Sequence, residues 1–498
     1  LLDNLSTVEI ILAPDPDKQA RLAHEEQQRL TDYENSLDPA EREQLVNRTR
    51  ELIELQNKPV DAETLNLLPR LKVRDLDPRP PYHQVQVGDL AGRQLLVSEL
   101  PTNGIIYMDF GLDCAMLPAR LLPCLDLFGT IVTEIGTDTK DYMQFARELG
   151  MYTGGFSNSF NTYTRLGDTG EGCRPMAWFH LKALSPFLER ALSLAGEVFS
   201  GVSFGDRRRI KEIVLREFAW AEHSVQSEGY SLAASRVFAH LSQAGRYNEY
   251  VNGATSYLRL KELAGDYDRL EEDFLRDLAE IRDLLFRREA LLLSVTGSEA
   301  DIGTFQQKGV ALTDSFAAGP VSAESPEFPP FAPHQGLCTS AEVVYNVQGC
   351  RLFTDPSQYN GHFEVLKTWI SRDYLWNTVR QMGGAYGCFV QFNHLTGNFG
   401  LVSYRDPHIH RTYAAYDDLP RQIRELDPAP EVLEQLILGT YGSLDPLLAP
   451  AAKGATGRND FLSGISVEFK QERVEQALAT TAADLRRFAT LFDSLARN

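Results

Sequence analysis

Two residues six positions apart, Arg380 and Tyr386, flank the pair Gly383-Gly384 inside the run LWNTVRQMGGAYGCFVQFNHLTGNFGLVSYR, which extends from Leu375 to Arg405. A guanidinium and a phenol brought side by side present several N–H donors and one O–H to a carbonyl or carboxylate oxygen. That is the chemistry of a peptide clamp, able to orient a substrate or steady a developing oxyanion. Each residue also has an ordinary explanation. A cation in the last turn of a helix complements the helix dipole, and a tyrosine in a strand packs. On the residues alone both readings stand.

Groups that would break a bond are harder to find. A zinc peptidase of the inverted type needs HxxEH, which puts two histidines one helical turn apart with a glutamate beside the second as general base. None of the ten histidines begins HxxEH or HExxH. His408-x-His410, following Asp406, could ligate a metal from a loop with His394 as a third donor, but the spacing suits a solvated turn better. There is no GxSxG elbow, and no cysteine has the neighbours of an activated thiolate. The acidic pairs Glu271-Glu272 and Asp417-Asp418 fall in charged stretches that suit a solvated face. The chain therefore carries no catalytic and no metal residue. Its candidate site is Arg380 and Tyr386, supported by the backbone break at Gly383 and Gly384.

The elements that would position this site follow from periodicity. Leu375, Trp376 and Val379 have near-helical spacing, and two residues without a Cβ then let the backbone turn. Tyr386, Phe389, Phe392, Phe399, Val402 and Tyr404 supply two strands joined at Thr396-Gly397-Asn398. The same order of helix, Gly-Gly, strand, turn and strand recurs at Gly154-Gly155, with a strand at Met176–Leu184. We therefore expect an α+β protein of two homologous domains, each a mostly antiparallel sheet with helices on one face. A helical hairpin precedes them at 15–66, its helices opened by Asp15-Pro16 and Asp38-Pro39, with Glu41 placed for a capping box.

The first domain is expected at 67–318. Its strands Gln94–Leu100 and Ile105–Asp113 read as a hairpin turned at Asn103-Gly104, and another strand lies at Ala290–Val295. A Pro/Ser/Glu-rich linker at 319–333 has too few periodic apolar residues to pack as an element. The second domain, 334–498, opens on strands Ala341–Val347 and Cys350–Phe353 and ends in one helix around Glu472–Leu495. Lys453–Gly457 is glycine-rich without the GK[ST] ending of a phosphate loop and reads as a surface loop.

Composition narrows the partners. The chain has 498 residues, 69 acidic against 49 basic, and a net charge of −20. That disfavours nucleic acid and anionic membranes, and an acidic cavity would favour basic peptides. Six scattered cysteines without a CxxC pair suggest neither a disulfide framework nor a zinc ribbon, so the cytoplasm or another reducing compartment fits. No apolar run has the length of a membrane span. The opening LLDNLSTVEIILAPDP reads as the continuation of a longer polypeptide just before a strand at Thr7–Leu12.

The run Leu375–Arg405, together with LPTNGIIYMDFGLD, LLPCLDLFGTIVTEIGT, YTGGFS, LLSVTGSE and LATTAADL, resembles the C-terminal half of the presequence-protease branch of the pitrilysin/insulinase metallopeptidases. The resemblance runs in order from first residue to last. It implies a clamshell whose two halves close over a chamber for short unfolded peptides, with zinc, its ligands and the general base in an N-terminal half absent here. It implies that residues 1–14 hold a strand completing the sheet of that half, and that the helical hairpin connects the halves. It also implies that Arg380 and Tyr386 contact the bound peptide. The expected function is the noncatalytic, substrate-binding half of a zinc metalloendopeptidase, inactive alone, with no cofactor of its own and with the zinc-bearing half and short peptides as partners. The alternative is a noncatalytic structural or peptide-binding module acting as a separate subunit.

Overall fold

The computed structural model describes all residues except 1–7, 9, 12, 14, 16, 59–63, 65, 66, 68, 70, 169–171, 320–325 and 498. Much of the strand expected at Thr7–Leu12 lies outside the described residues. The chain forms two compact units, Leu1–Leu71 and Lys72–Asn498.

In the first unit, helices α1 (Lys18–Ser36) and α2 (Pro39–Asn57) follow one another closely. Asp38 caps α2 with the anticipated capping box: its carboxylate accepts from the N–H groups of Ala40 and Glu41, and Glu41 accepts from the Asp38 N–H. Their described residues, leucines included, are exposed.

The second unit begins with a segment laid over late helices of the chain: the Val73 N–H points at Glu434, and the Tyr441 hydroxyl donates to the Asp77 carbonyl. A six-stranded sheet follows, built from β1 (Gln86–Leu90), β2 (Arg93–Glu99), β3 (Ile105–Asp113), β4 (Phe156–Tyr163), β5 (Arg174–Leu184) and β6 (Leu291–Gly297). Its order is β1-β2-β6-β3-β5-β4, and only β2–β6 is parallel. The turn at Asn103-Gly104 forms with both residues at positive φ, but the expected hairpin does not, because β6 inserts between β2 and β3. Every residue of β6 is buried, and a strand buried on both faces takes a central place whatever its distance along the chain.

Helices α3 (Leu125–Glu134), α4 (Tyr142–Tyr152), α5 (Leu188–Gly201), α6 (Arg207–Glu228), α7 (Tyr230–Leu241), α8 (Gln243–Asn252), α9 (Ala254–Gly265), α10 (Tyr267–Leu285) and α11 (Glu299–Thr313) complete this part. Ile106, Met108, Phe110 and Leu112 of β3 alternate into one core with these helices. Of the expected linker, the described part forms neither helix nor strand, yet Phe328 and Phe331 pack beside Tyr250, with ring centroids 4.9 and 6.1 Å away.

A three-stranded antiparallel sheet follows, ordered β7-β9-β8, from β7 (Val344–Arg351), β8 (Gly387–Asn393) and β9 (Asn398–Asp406). The two strands expected at 341–353 are thus one. Helix α12 (His362–Trp369) runs on as π-helical turns through Gln381. Then come α13 (His410–Arg424), α14 (Pro430–Leu444), α15 (Pro450–Ser463), α16 (Val467–Leu478) and α17 (Ala482–Arg487), the last continued by 3₁₀ turns. The single terminal helix is therefore broken at Thr481, whose hydroxyl caps α17.

Helices do not cover one face of each sheet only. The far face of the first sheet, with Leu96, Met176, Trp178 and Leu292, packs against Leu462 of α15. The far face of the second, with Val347 and Val402, packs against Ala234 of α7. Each sheet thus borrows a helix from the other part of the chain. The surface loop expected at Lys453–Gly457 is the first half of α15. Its glycines allow close approach: a Cβ on Gly454 would stand 1.9 Å from the Thr296 hydroxyl, and one on Gly457 2.3 Å from the His83 carbonyl.

Candidate functional site

Arg380 stands in the last turn of the π-helical run, where wide turns bond Met382 N–H back to the Asn377 carbonyl. Such turns re-aim side chains relative to an α-helix. Gly384, at φ +81°, ends the helix, and its N–H returns to the Arg380 carbonyl at 2.8 Å. Tyr386 then enters the hairpin, its N–H donating to the Arg405 carbonyl at 3.1 Å. The break thereby brings the two predicted residues together. The Arg380 guanidinium carbon lies 5.9 Å from the Tyr386 ring centroid and 4.0 Å from that of Trp376. Tyr386 is 59% exposed, its ring edge-on to Tyr404 at 5.6 Å.

A third residue joins them. The Arg405 guanidinium carbon is 5.7 Å from the same tyrosine ring, and Arg405 has φ +48°, a conformation costly for a side chain of this kind. Its neighbour holds it there. The buried Asp406 carboxylate accepts from the Ser403 hydroxyl at 2.6 Å, the Thr412 hydroxyl at 2.7 Å, the Asn346 amide at 3.1 Å and the His408 N–H at 2.9 Å. Arg380, Gln381, Gly384, Ala385, Tyr386 and Arg405 line an open cavity of about 470 Å³. Among the described residues no carboxylate forms an ion pair with Arg380 or Arg405, although many other arginines of this acidic chain are paired. Two uncompensated cations beside a phenol suit a carbonyl or carboxylate oxygen. Arg405 was within reach of sequence reasoning only as an arginine before Asp-Pro, since positive φ leaves no mark on an arginine.

The other candidates stay apart. His408 and His410 are exposed, whereas His394 stacks between Tyr359, at 5.4 Å, and Phe469, at 5.7 Å. No group of three His, Cys, Asp or Glu side chains able to hold a metal occurs among the described residues. Burial pushes the thiols of Cys124 and Cys388 up to about 11 and that of Cys173 to about 12, so none of these is an activated thiolate. One arrangement went unforeseen. His180 stands 2.7 Å from Asp109 through Nδ1 and 2.8 Å from the Ser159 hydroxyl through Nε2, on three neighbouring strands. Arg458 of α15 pairs with the same carboxylate, which offsets the charge a relay would need, and the serine lies mid-strand rather than on an elbow. The group ties the sheet to α15.

His394 carries a stability prediction. Burial, then the charge of Arg473, holds its imidazole down to about 4, against an ordinary 6.5; Lys367 and Lys470 act the same way and Glu364 opposes them. The unfolded chain therefore takes up a proton first. Stability is full above pH 6.5 and falls as the pH drops from there towards 4, by at most about 3 kcal/mol. Urea unfolding at pH 7.5, 6 and 5 should show this slope, and His394→Phe should flatten it. An unchanged slope in the variant would assign the effect elsewhere.

Comparison with known proteins places this geometry in context. A family model for the region associated with subfamily C of the M16 peptidases matches residues 12–263, and one described as "PreP C-terminal domain" matches 336–498. Presequence protease 1, chloroplastic/mitochondrial, of Arabidopsis thaliana is 29% identical over 498 residues, covering 99% of this chain and 46% of that protein. Protein HypA of Clostridium perfringens is 26% identical over 495 residues, covering 99% and 50%. The chain thus spans about half the length of the curated relatives it matches. Among solved structures, a peptidase M16 inactive domain from Pseudomonas fluorescens aligns with TM-score 0.56 at 15% identity, covering 83% of this chain and 95% of that one. Pitrilysin aligns with TM-score 0.52 at 14% identity, covering 82% and 42%. At these identities the structures share the fold.

Proposed function

Given that this chain belongs to the pitrilysin/insulinase peptidase family, in its presequence-protease branch, we propose that it is the substrate-binding half of a zinc metalloendopeptidase acting on short unstructured peptides. One observation carries the proposal: Arg380, Tyr386 and Arg405 converge on an open cavity, unopposed by any carboxylate among the described residues. The residues present do not fit a zinc site, since the sequence lacks HxxEH and no three-ligand group occurs among the described residues. The metal and the general base would belong to a partner half, in the same polypeptide or a separate subunit, closing with this one as a clamshell.

In that assembly the Tyr386 hydroxyl donates to the carbonyl oxygen of the bond to be cleaved, and Arg380 and Arg405 hold the peptide by its neighbouring carbonyls or terminal carboxylate. Preformed donors act because they need no reorganisation as charge develops. The expectation of two homologous domains belongs to this reading as well. Both sheets follow a helix and a Gly-Gly break with an antiparallel hairpin whose second strand pairs with an earlier strand, β5 with β3 and β9 with β7.

The test is reconstitution. The chain alone should cleave no fluorogenic peptide, and adding a zinc-bearing N-terminal half should produce chelator-sensitive cleavage. Stoichiometric zinc with cleavage by the chain alone would overturn the reading. Peptide binding without any stimulation of such a half would favour the separate noncatalytic module.

A further inference from the structure

A second cavity, of about 570 Å³, opens between α7, α8 and the β8–β9 hairpin. Its size suits a small ligand or a short stretch of peptide. Its walls are amide and hydroxyl: Ser231 and Ser235 of α7, Ser242 and Asn248 at α8, Gln391 of β8 and Asn398 of β9 are among them, and no charged residue lines it. In a chain of net charge −20 that is unusual ground, and it excludes a charged ligand, which would enter without a counter-charge.

The site also holds an unspent acceptor. Asn398 is only 5% exposed; its amide N–H donates to the Ser242 hydroxyl at 2.8 Å, while no donor among the described residues meets its Oδ1. A buried acceptor left unmatched costs free energy that a ligand N–H recovers. Side-chain amides and hydroxyls, which both donate and accept, match the alternating N–H and C=O of an uncharged backbone.

Position selects a peptide as the ligand. Gln391 lies five residues along the hairpin from Tyr386, about 17 Å at strand rise. Helix α7 runs alongside, from Tyr230, whose ring stands 5.6 Å from Tyr404 beside the Arg/Tyr site, to Ser231 and Ser235 at the cavity. We propose that this cavity is a second peptide subsite, taking an uncharged extended segment about five residues from the group held at Arg380 and Tyr386. The link between the two sites rests on the proposed function; binding at the cavity does not.

The test uses the whole chain and an N-acetylated, C-amidated heptapeptide of Gln, Asn, Ser and Gly carrying a fluorophore, with anisotropy as readout. Gln391→Cys is folded first and then blocked with a bulky maleimide, with the parent chain given the same reagent as control. Blocking should weaken binding at least tenfold relative to that control, and Gln391→Ala should weaken it severalfold. Tyr386→Phe should leave it within twofold. Loss of binding on blocking supports the subsite even if no zinc-bearing half is ever stimulated. Binding that survives blocking, no binding at millimolar peptide, or displacement of the peptide by maltotetraose would overturn it.

Discussion

Tyr386→Phe is expected to lower kcat of the reconstituted peptidase by about 10²-fold while leaving the fold intact. The substitution removes one oxygen. The ring remains edge-on to Tyr404, and at 59% exposure the hydroxyl supports no core, so the midpoint of urea unfolding should move by no more than about 0.5 kcal/mol. An interaction made more strongly in the transition state lowers kcat and kcat/KM together, whereas a hydroxyl that only grips substrate raises KM. Arg380→Lys separates the parts further. It keeps the charge but loses the planar fork and the stacking over Trp376, so KM should rise with a smaller change in kcat. Full activity in both variants would remove these residues from the site and leave helix-dipole and packing roles as their explanation.

Much of this site was legible because its cues are local. A helix, two glycines and an aromatic strand occupy adjacent positions in the chain, and each follows from residue chemistry within one turn or one pleat. The alternation of Ile106, Met108, Phe110 and Leu112, and the capping box at Asp38, came through for the same reason. What failed was non-local. Asn103-Gly104 reports a chain reversal faithfully but says nothing of β6, which arrives almost two hundred residues later and separates the two strands. Helices α8, α9 and α11 drew no expectation. Arg405 escaped because its strained backbone is enforced by contacts of Asp406 with Asn346 and Thr412, on β7 and α13.

The glycines of α15 were misread for a related reason, and they set the largest stability effect expected here. Glycine is a poor helix former, so Lys453–Gly457 reads as a loop until the partner surface is known. In the structure Gly454 lies where α15 crosses β6, and a Cβ there would come within 1.9 Å of the Thr296 hydroxyl and 2.9 Å of its Cβ. Thr296 is buried in a central strand and cannot withdraw. Gly454→Val must therefore lift α15, straining the Arg458–Asp109 pair and the packing of Leu462 on Trp178 and Leu292. Overpacking and a buried charge left half-paired together should cost roughly 3 kcal/mol or more. Gly442 of α14 is the control: nothing lies within 4 Å of a Cβ there, so Gly442→Ala should stabilise by about 0.5 to 1 kcal/mol through helix propensity. Urea unfolding of both variants reads the two signs directly. If Gly454→Val were as stable as the parent, α15 would not seat on the sheet as described, and the exchange of helices between the two sheets would lose its main contact.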